Sequence, residues 1–323
     1  MRRHLLATAV ILTVAPGCDN VAWGGVEVRW EPPATAASGA VSDAPAVAAD
    51  EVTAPAEIAH PLLLAGTREG ARATLVVVGE LRPEGMSAAS TASSAAIAEG
   101  SEWILFAEGA RVGRLTADQT GLASEYCATT PTLSGTVELV PGATAVERVL
   151  ALPAGEFRST PFTELRPLTH DYDQRVASLN FAQEAIPRLG APWPEGGVLS
   201  TRRDIQAFQP LGTERPTVAA TYVVRDQLMI GPPSAGAYAL LILASPGDSQ
   251  YRETFEWYHA AGTGGKQAPQ YFSHLDWDGD GAGEILLDVF GSDRRWHAVL
   301  EPGEGGWVRA FESSCAAPAS SGR

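Results

Sequence analysis

Residues 270–300 read QYFSHLDWDGDGAGEILLDVFGSDRRWHAVL. Gln270–Leu275, Glu284–Phe290 and Trp296–Leu300 are short runs of aliphatic, aromatic and β-branched side chains between segments dense in Gly, Asp and Ser. Branched and aromatic side chains suit a pleated backbone, whereas Gly and Asp suit tight turns, so the pattern predicts strands in series. Trp307–Glu312 supplies a fourth run. Upstream, Thr217–Val224, Tyr238–Ser245 and Tyr251–His259 repeat the pattern, with Pro246-Gly247-Asp248 marking the turn between the last two. The stretches 217–260 and 270–313 are similar in length and strand count, and glycine-rich Gly262–Gly265 separates them. This predicts an internal repeat of about 50 residues, the size of a four-stranded propeller blade. Residues 216–315 are therefore expected to form a C-terminal blade-like region of antiparallel sheets.

Strand signals also dominate residues 61–165, read as an N-terminal β region. Ala73–Val78 is a short β-branched run; Glu102–Ala107 and Arg111–Thr116 flank the turn Glu108-Gly109-Ala110; Gly135–Val140 and Glu147–Leu152 flank Pro141-Gly142. Residues 84–100 read as a weakly ordered insertion, with a short helix over Ala88–Ala98 as the alternative, since alanine favours helix. Residues 166–215 differ, combining one helical insert around 172–189 with an irregular loop. Asp171 or Asp173 is the expected cap, and Tyr172, Val176, Leu179 and Ile186 the expected apolar face. Pro187 and Gly190 stop the helix, and Pro192, Trp193, Pro194 and Gly196-Gly197 follow as loop. The fold class is mainly β.

The N-terminus carries Arg2, Arg3 and His4, then the apolar run Leu5–Val14. Ten residues cannot span a bilayer core as a helix, which takes roughly 20, but they suit the apolar stretch of an export signal. Ala15, Pro16 and Gly17 then precede Cys18. This arrangement resembles the bacterial lipoprotein signal. The resemblance implies that residues 1–17 are removed and that Cys18 becomes a lipid-bearing N-terminus. The protein would then sit in the bacterial cell envelope, on a periplasmic or surface face, with the membrane as its first partner. An ordinary export signal cut elsewhere is the alternative. Residues 18–60 read as a flexible tether, because 31–59 hold no aromatic residue and too little apolar surface to offset chain entropy. Of the remaining cysteines, Cys127 and Cys315 are expected to pair as a disulfide outside the cytoplasm, two separate buried thiols being the alternative.

The formal charge is −15, and loss of Arg2 and Arg3 with the signal takes it to −17. Such a surface repels phosphate backbones, so no nucleic-acid partner is expected.

The chemically distinctive segment is Asp276–Glu284, DWDGDGAGE. Its carboxylates fall at positions 1, 3, 5 and 9, and glycines at 4, 6 and 8 permit the tight turn that lets alternate side chains converge. Calcium takes six to eight oxygens. Asp276, Asp278, Asp280 and Glu284 with the Ala282 carbonyl and water could fill that shell. An EF-hand is excluded, since Leu287 stands where its bidentate Glu belongs and a strand pattern follows. The segment resembles the FG-GAP calcium loop of integrin-type and related bacterial propeller repeats, which likewise enters a strand. The resemblance implies the same five ligands and a structural calcium ion; a metal-free Asp/Gly turn is the alternative. His259, His274 and His297 lie in or beside the last strands and could approach one another, although single histidines beside strands usually serve packing. Trp103, Trp257, Trp277, Trp296 and Trp307 could line a carbohydrate or peptide face, or could pack hairpins and cores. The leading functional expectation is a non-enzymatic envelope protein that binds a protein or carbohydrate partner or scaffolds an assembly. The alternative is a calcium-stabilised envelope hydrolase.

Overall fold

The structure, a computed structural model, describes residues 58–126, 130–157, 159–160, 163–211, 213–262 and 264–313. The expected export signal, the expected lipidation site Cys18, most of the expected tether, and Cys127 and Cys315, expected to pair, lie outside these residues.

The N-terminal region builds β1 (Leu62–Glu69), β2 (Arg72–Arg82), β3 (Gly85–Ser87), the single turn α1 (Thr91–Ser94), β4 (Glu102–Ala107), β5 (Ala110–Leu122), β6 (Pro131–Leu139), β7 (Arg148–Pro153) and the short α2 (Ala154–Phe157). The strands pair in the order β1-β7-β4-β5-β6-β2, and β2 pairs again with β1, closing a six-stranded antiparallel barrel. Closure removes the open edges that a short-stranded sheet would otherwise present. Strand β3 extends this sheet on β2. Leu62, Leu64, Leu75, Trp103, Leu105, Val112, Leu115, Leu133 and Val149 fill the barrel. The opposite faces of β1, β4 and β7 are also buried, through Leu63, Ile104, Phe106, Leu150 and Leu152. This double burial explains why LLLA at 62–65 and VLAL at 149–152 are continuous apolar runs rather than alternating ones. Residues 84–100 are better ordered than their composition suggests. Ser90 caps α1, and Ala89 and Ile97 pack on the barrel interior.

The rest comprises α3 (Tyr172–Arg188) and β8 (Arg202–Phe208), β9 (Thr217–Val224), β10 (Tyr238–Pro246), β11 (Tyr251–Ala260), β12 (Ala268–Leu275), β13 (Glu284–Phe290), β14 (Arg295–Gly303) and β15 (Gly306–Glu312). These strands form two four-stranded antiparallel meanders, β8 to β11 and β12 to β15. The first begins at Arg202, inside the stretch expected to be irregular loop. In RRDIQAF the charged and amide side chains mask the strand, and only its pairing with β9 reveals it. Helix α3 occupies the expected span, and of its expected apolar face Ile186 is buried and Leu179 packs on the core while Tyr172 does not. Tyr172 is 70 % exposed, whereas Gln174, Ser178, Ala182, Ala185 and Ile186 are buried. The small side chains of Ser178, Ala182 and Ala185 let the helix lie close to the sheet, beside the apolar Ile186.

The two meanders pack face to face through Phe208, Leu241, Leu243 and Trp257 against Tyr271, Ile285, Leu287 and Leu300. The other face of β8–β11 is covered by α3, where Ala182, Ala185 and Ile186 meet Tyr222, Leu240 and Ile242. The other face of β12–β15 is covered by the barrel, where Phe272, Leu286 and Val299 meet Leu63, Ile104 and Leu150. The described residues thus form two blade-sized sheets, and the faces onto which a further blade would stack are already occupied. Among the described residues no helix is long and apolar enough to cross a membrane.

Candidate functional site: an acidic loop beside a cavity

The loop between β12 and β13 carries the carboxylates of Asp276, Asp278, Asp280 and Glu284 to one point. One oxygen from each lies within 4.8 Å of the others. Two oxygens on opposite sides of a calcium ion, at its usual bond lengths, stand roughly 4.6–5.2 Å apart. The four groups therefore have the spacing of a shared cation shell. Backbone N–H groups hold the arrangement. Asp276 Oδ1 and Oδ2 accept from Gly279 at 2.8 Å and Gly281 at 3.1 Å. Asp278 Oδ1 accepts from Asp280 at 3.1 Å, Asp280 Oδ1 from Ala282 at 2.7 Å, and Glu284 Oε2 from Trp277 at 3.1 Å. Gly279 (φ 78°) and Gly281 (φ 92°) take the left-handed conformation that this winding requires.

No ion pair among the described residues reaches any of the four carboxylates. Glu284 is 3 % exposed, and burial followed by the neighbouring Asp278 and Asp276 charges pushes its carboxyl up to about 8. Asp278 is raised for the same reasons, burial first and then Asp280 and Asp276. Glu301 is raised by burial and then by Asp278 and Asp280. Mutual repulsion with no ion pair among the described residues to relieve it is the electrostatic condition that a divalent cation reverses. The donor set, all hard oxygens, fits such an ion.

Beside the loop lies a cavity of about 590 Å³ between the β4–β5 turn and the acidic loop. Glu108, at φ 48°, and Gly109, at φ 73°, form the turn, with Ala107 paired to Ala110. Two positive φ values identify a type I′ hairpin turn, where Asn-Gly is usual and Glu is strained. The contacts of Glu108 account for the exception. Tyr271 Oη donates to Glu108 Oε2 at 2.8 Å and lies 2.8 Å from His274 Nδ1. Phe208 stacks on Tyr271 with ring centroids 4.6 Å apart. Glu108, Tyr271, His274 and Phe208 thus join the barrel turn to both sheets.

The structure brings the four acidic residues together and leaves the other candidates apart. His274 packs against Phe208 and Tyr271, His297 against Tyr126 and Phe272, and His259 Nε2 lies 3.1 Å from the Gly265 carbonyl. Trp103, Trp257 and Trp277 are buried, and Trp296 and Trp307 pack on the core between the sheets, so these rings serve packing. Among the described residues the exposed tryptophan is Trp193. Asp171 caps α3 through Gln174 N–H at 2.8 Å. Sequence reasoning read Glu108 only as part of a turn and did not connect it to Tyr271; a Glu before Gly in a hairpin turn was the available signal. The chain matches no family model, no curated protein and no solved structure.

Proposed function

We propose that this chain is an exported envelope protein of non-enzymatic binding or scaffolding type, held at the membrane by a lipid on Cys18 and stabilised by a structural calcium ion. The supporting observation is the convergence of four carboxylates within 4.8 Å, with no ion pair to them among the described residues. Asp276, Asp278, Asp280 and Glu284 would hold the ion, with Ala282 contributing its carbonyl. Calcium would convert the repulsion of the apo loop into order and so stabilise the two blade-sized sheets. On this reading the sheets are propeller-like modules shared by a barrel and a helix rather than by further blades. A protein or carbohydrate is the expected partner, with no role for nucleic acid. A calcium-stabilised envelope hydrolase is the second reading, favoured by one observation, the His274 imidazole at the adjoining cavity.

Two measurements test the proposal. Chelation with EGTA should lower the melting temperature of the wild type, and Asp278→Ala should abolish the difference. Identical wild-type melting curves with and without calcium would sink the metal reading. Cys18→Ser should move the protein from the membrane to the soluble fraction. Its persistence at the membrane would sink the anchor.

A further inference from the structure

We infer that the cleft between the outer wall of the barrel and the second sheet binds a neutral, hydroxyl-rich ligand of the carbohydrate class, held by Asp288 and Arg295. This rests on the binding reading above and deepens it by naming a site and a ligand class. The cleft has a volume of about 790 Å³, with Thr67, Thr74 and Arg148 on the barrel side and Gln270, Asp288 and Arg295 on the sheet side. Small-molecule sites span roughly 300–1,000 Å³. Asp288 is 5 % exposed, and its Oδ2 accepts from Arg295 Nη1 at 3.2 Å. Its Oδ1 has no hydrogen-bond partner among the described residues, and neither has Arg295 Nε, although Arg295 Nη2 reaches Glu125 at 3.2 Å. His297 Nδ1, on the residue opposite Asp288 across the strands, is a third such atom. Buried polar side-chain atoms in native proteins are mostly satisfied, so three of these on adjoining residues at one cleft point to a polar ligand.

The wall narrows the ligand class. Three guanidinium groups, on Arg68, Arg148 and Arg295, and three carboxylates, on Glu69, Glu147 and Asp288, line the cleft. Neither sign of ligand charge gains a net attraction from such a wall. Asp288 is already matched by Arg295, so what approaches Oδ1 has to bring a donor rather than a charge. The unpartnered acceptor and the unpartnered donor belong to one ion pair, and a hydroxyl can donate to the first and accept from the second. Arg148 gives Nη1 to the Tyr271 carbonyl at 2.8 Å and makes no ion pair among the described residues, which leaves N–H donors for a second hydroxyl. A simple amide would answer the Asp288–Arg295 pair alone, whereas a sugar has hydroxyls for Arg148, Thr67 and Gln270 as well. Ala65, Val76 and Phe272 supply an apolar side for its C–H groups.

Titration calorimetry on the full chain tests this with the methyl glycosides of glucose, galactose and mannose and the disaccharides maltose and lactose. At least one should bind at a single saturable site. Its uronate and amino-sugar counterparts should bind about tenfold more weakly, and N-acetylglycinamide should not compete. Asp288→Asn puts a donor where Oδ1 accepts, and Arg295→Lys keeps the charge but removes the Nε donor; each should weaken the sugar by about tenfold or more. Trp193→Ala, at the exposed tryptophan, should leave its affinity unchanged. If a variant fails to fold, nitrogen NMR of the wild type gives an independent readout: the sugar should shift the Arg295 Nε resonance. No saturable binding by any of these sugars would overturn the inference and leave ordered water as the partner of these atoms. Preference for a charged counterpart, competition by the amide, an unmoved Arg295 resonance, unchanged affinity in the folded Asp288 and Arg295 variants, or loss of affinity in Trp193→Ala would overturn it too. Hydrolysis of a bound disaccharide would sink the non-enzymatic reading alone, and sugar binding without calcium binding would sink the calcium reading alone.

Discussion

Lys266 is the sole lysine among 323 residues and 23 basic side chains, and it is 5 % exposed. Its ammonium donates to Asp226 Oδ1 at 3.0 Å, to the Gln227 carbonyl at 2.7 Å and to the Met229 carbonyl at 2.6 Å. All three donors are used, and the bonds tie the connection between the two sheets to the β9–β10 loop, which leaves β9 through Arg225 at φ 56°. A compact ammonium suits this cage of converging oxygens better than a planar guanidinium would. Removing a buried cation leaves its carboxylate and carbonyls unsatisfied. Lys266→Met is therefore expected to lower unfolding stability by about 3–5 kcal/mol in urea titrations. Arg294→Met, which breaks the exposed pair with Asp293, should stay within about 0.5 kcal/mol. A loss at Lys266 no larger than at Arg294 would show that the cage contributes nothing.

Strands β12 to β14 present a polar row to the barrel, with Gln270 opposite Asp288 and Asp288 opposite His297. Arg295 Nη1 reaches Asp288 Oδ2 at 3.2 Å, Arg295 Nη2 reaches Glu125 at 3.2 Å, and the guanidinium lies 4.7 Å from the Tyr126 ring centre. Burial pushes Asp288 up to about 6, opposed by Arg295 and Arg148. Burial, then Arg295, pulls His297 down to about 3. The two have opposite linkage signs. Between pH 6 and the ordinary aspartate range near 4, the folded protein takes up a proton at Asp288 that the unfolded chain does not, so acidification stabilises. Between pH 6.5 and 3, the unfolded chain takes up a proton at His297 that the folded protein refuses, so acidification destabilises. The wild type should show partial cancellation between pH 6 and 4. Asp288→Asn should steepen acid destabilisation by up to about 1.4 kcal/mol per pH unit, and His297→Phe should reduce it. Denaturant midpoints across this window provide the check, and parallel pH curves for both variants and wild type would refute the assignment.

Across the molecule, three interfaces stack in sequence: α3 on the first sheet, the first sheet on the second, and the second on the barrel wall. The second sheet is buried on both faces, so the barrel and the sheets cannot separate without exposing Leu286, Val299, Phe272 and Ile104 together. We expect one cooperative unfolding transition for the described body, with barrel amides and sheet amides exchanging at the same free energy. Leu286→Ala, at a fully buried position between sheet and barrel, should lower stability by about 2–5 kcal/mol and lower both sets of amides equally. Separate transitions for barrel and sheets would show that this interface does not couple them.

Much of the element list was legible from the chain alone, because strand propensity and turn chemistry are local properties. Thr217–Val224, Glu102–Ala107 and Glu284–Phe290 stand at their expected bounds, and the spacing of Asp276, Asp278, Asp280 and Glu284 already implied convergence. Strands β1 and β8 were not legible, since one lacks alternation and the other lacks apolar content, and each is defined by its neighbours. Barrel closure through β1–β2 and β1–β7, the burial of Gln174 in place of Tyr172, and the meeting of Glu108 with Tyr271 across 163 positions were decided only in three dimensions. Local pattern specifies which residues extend and which turn. Which faces are buried, and which distant polar groups share a proton, depends on the surfaces that the packed elements present to one another.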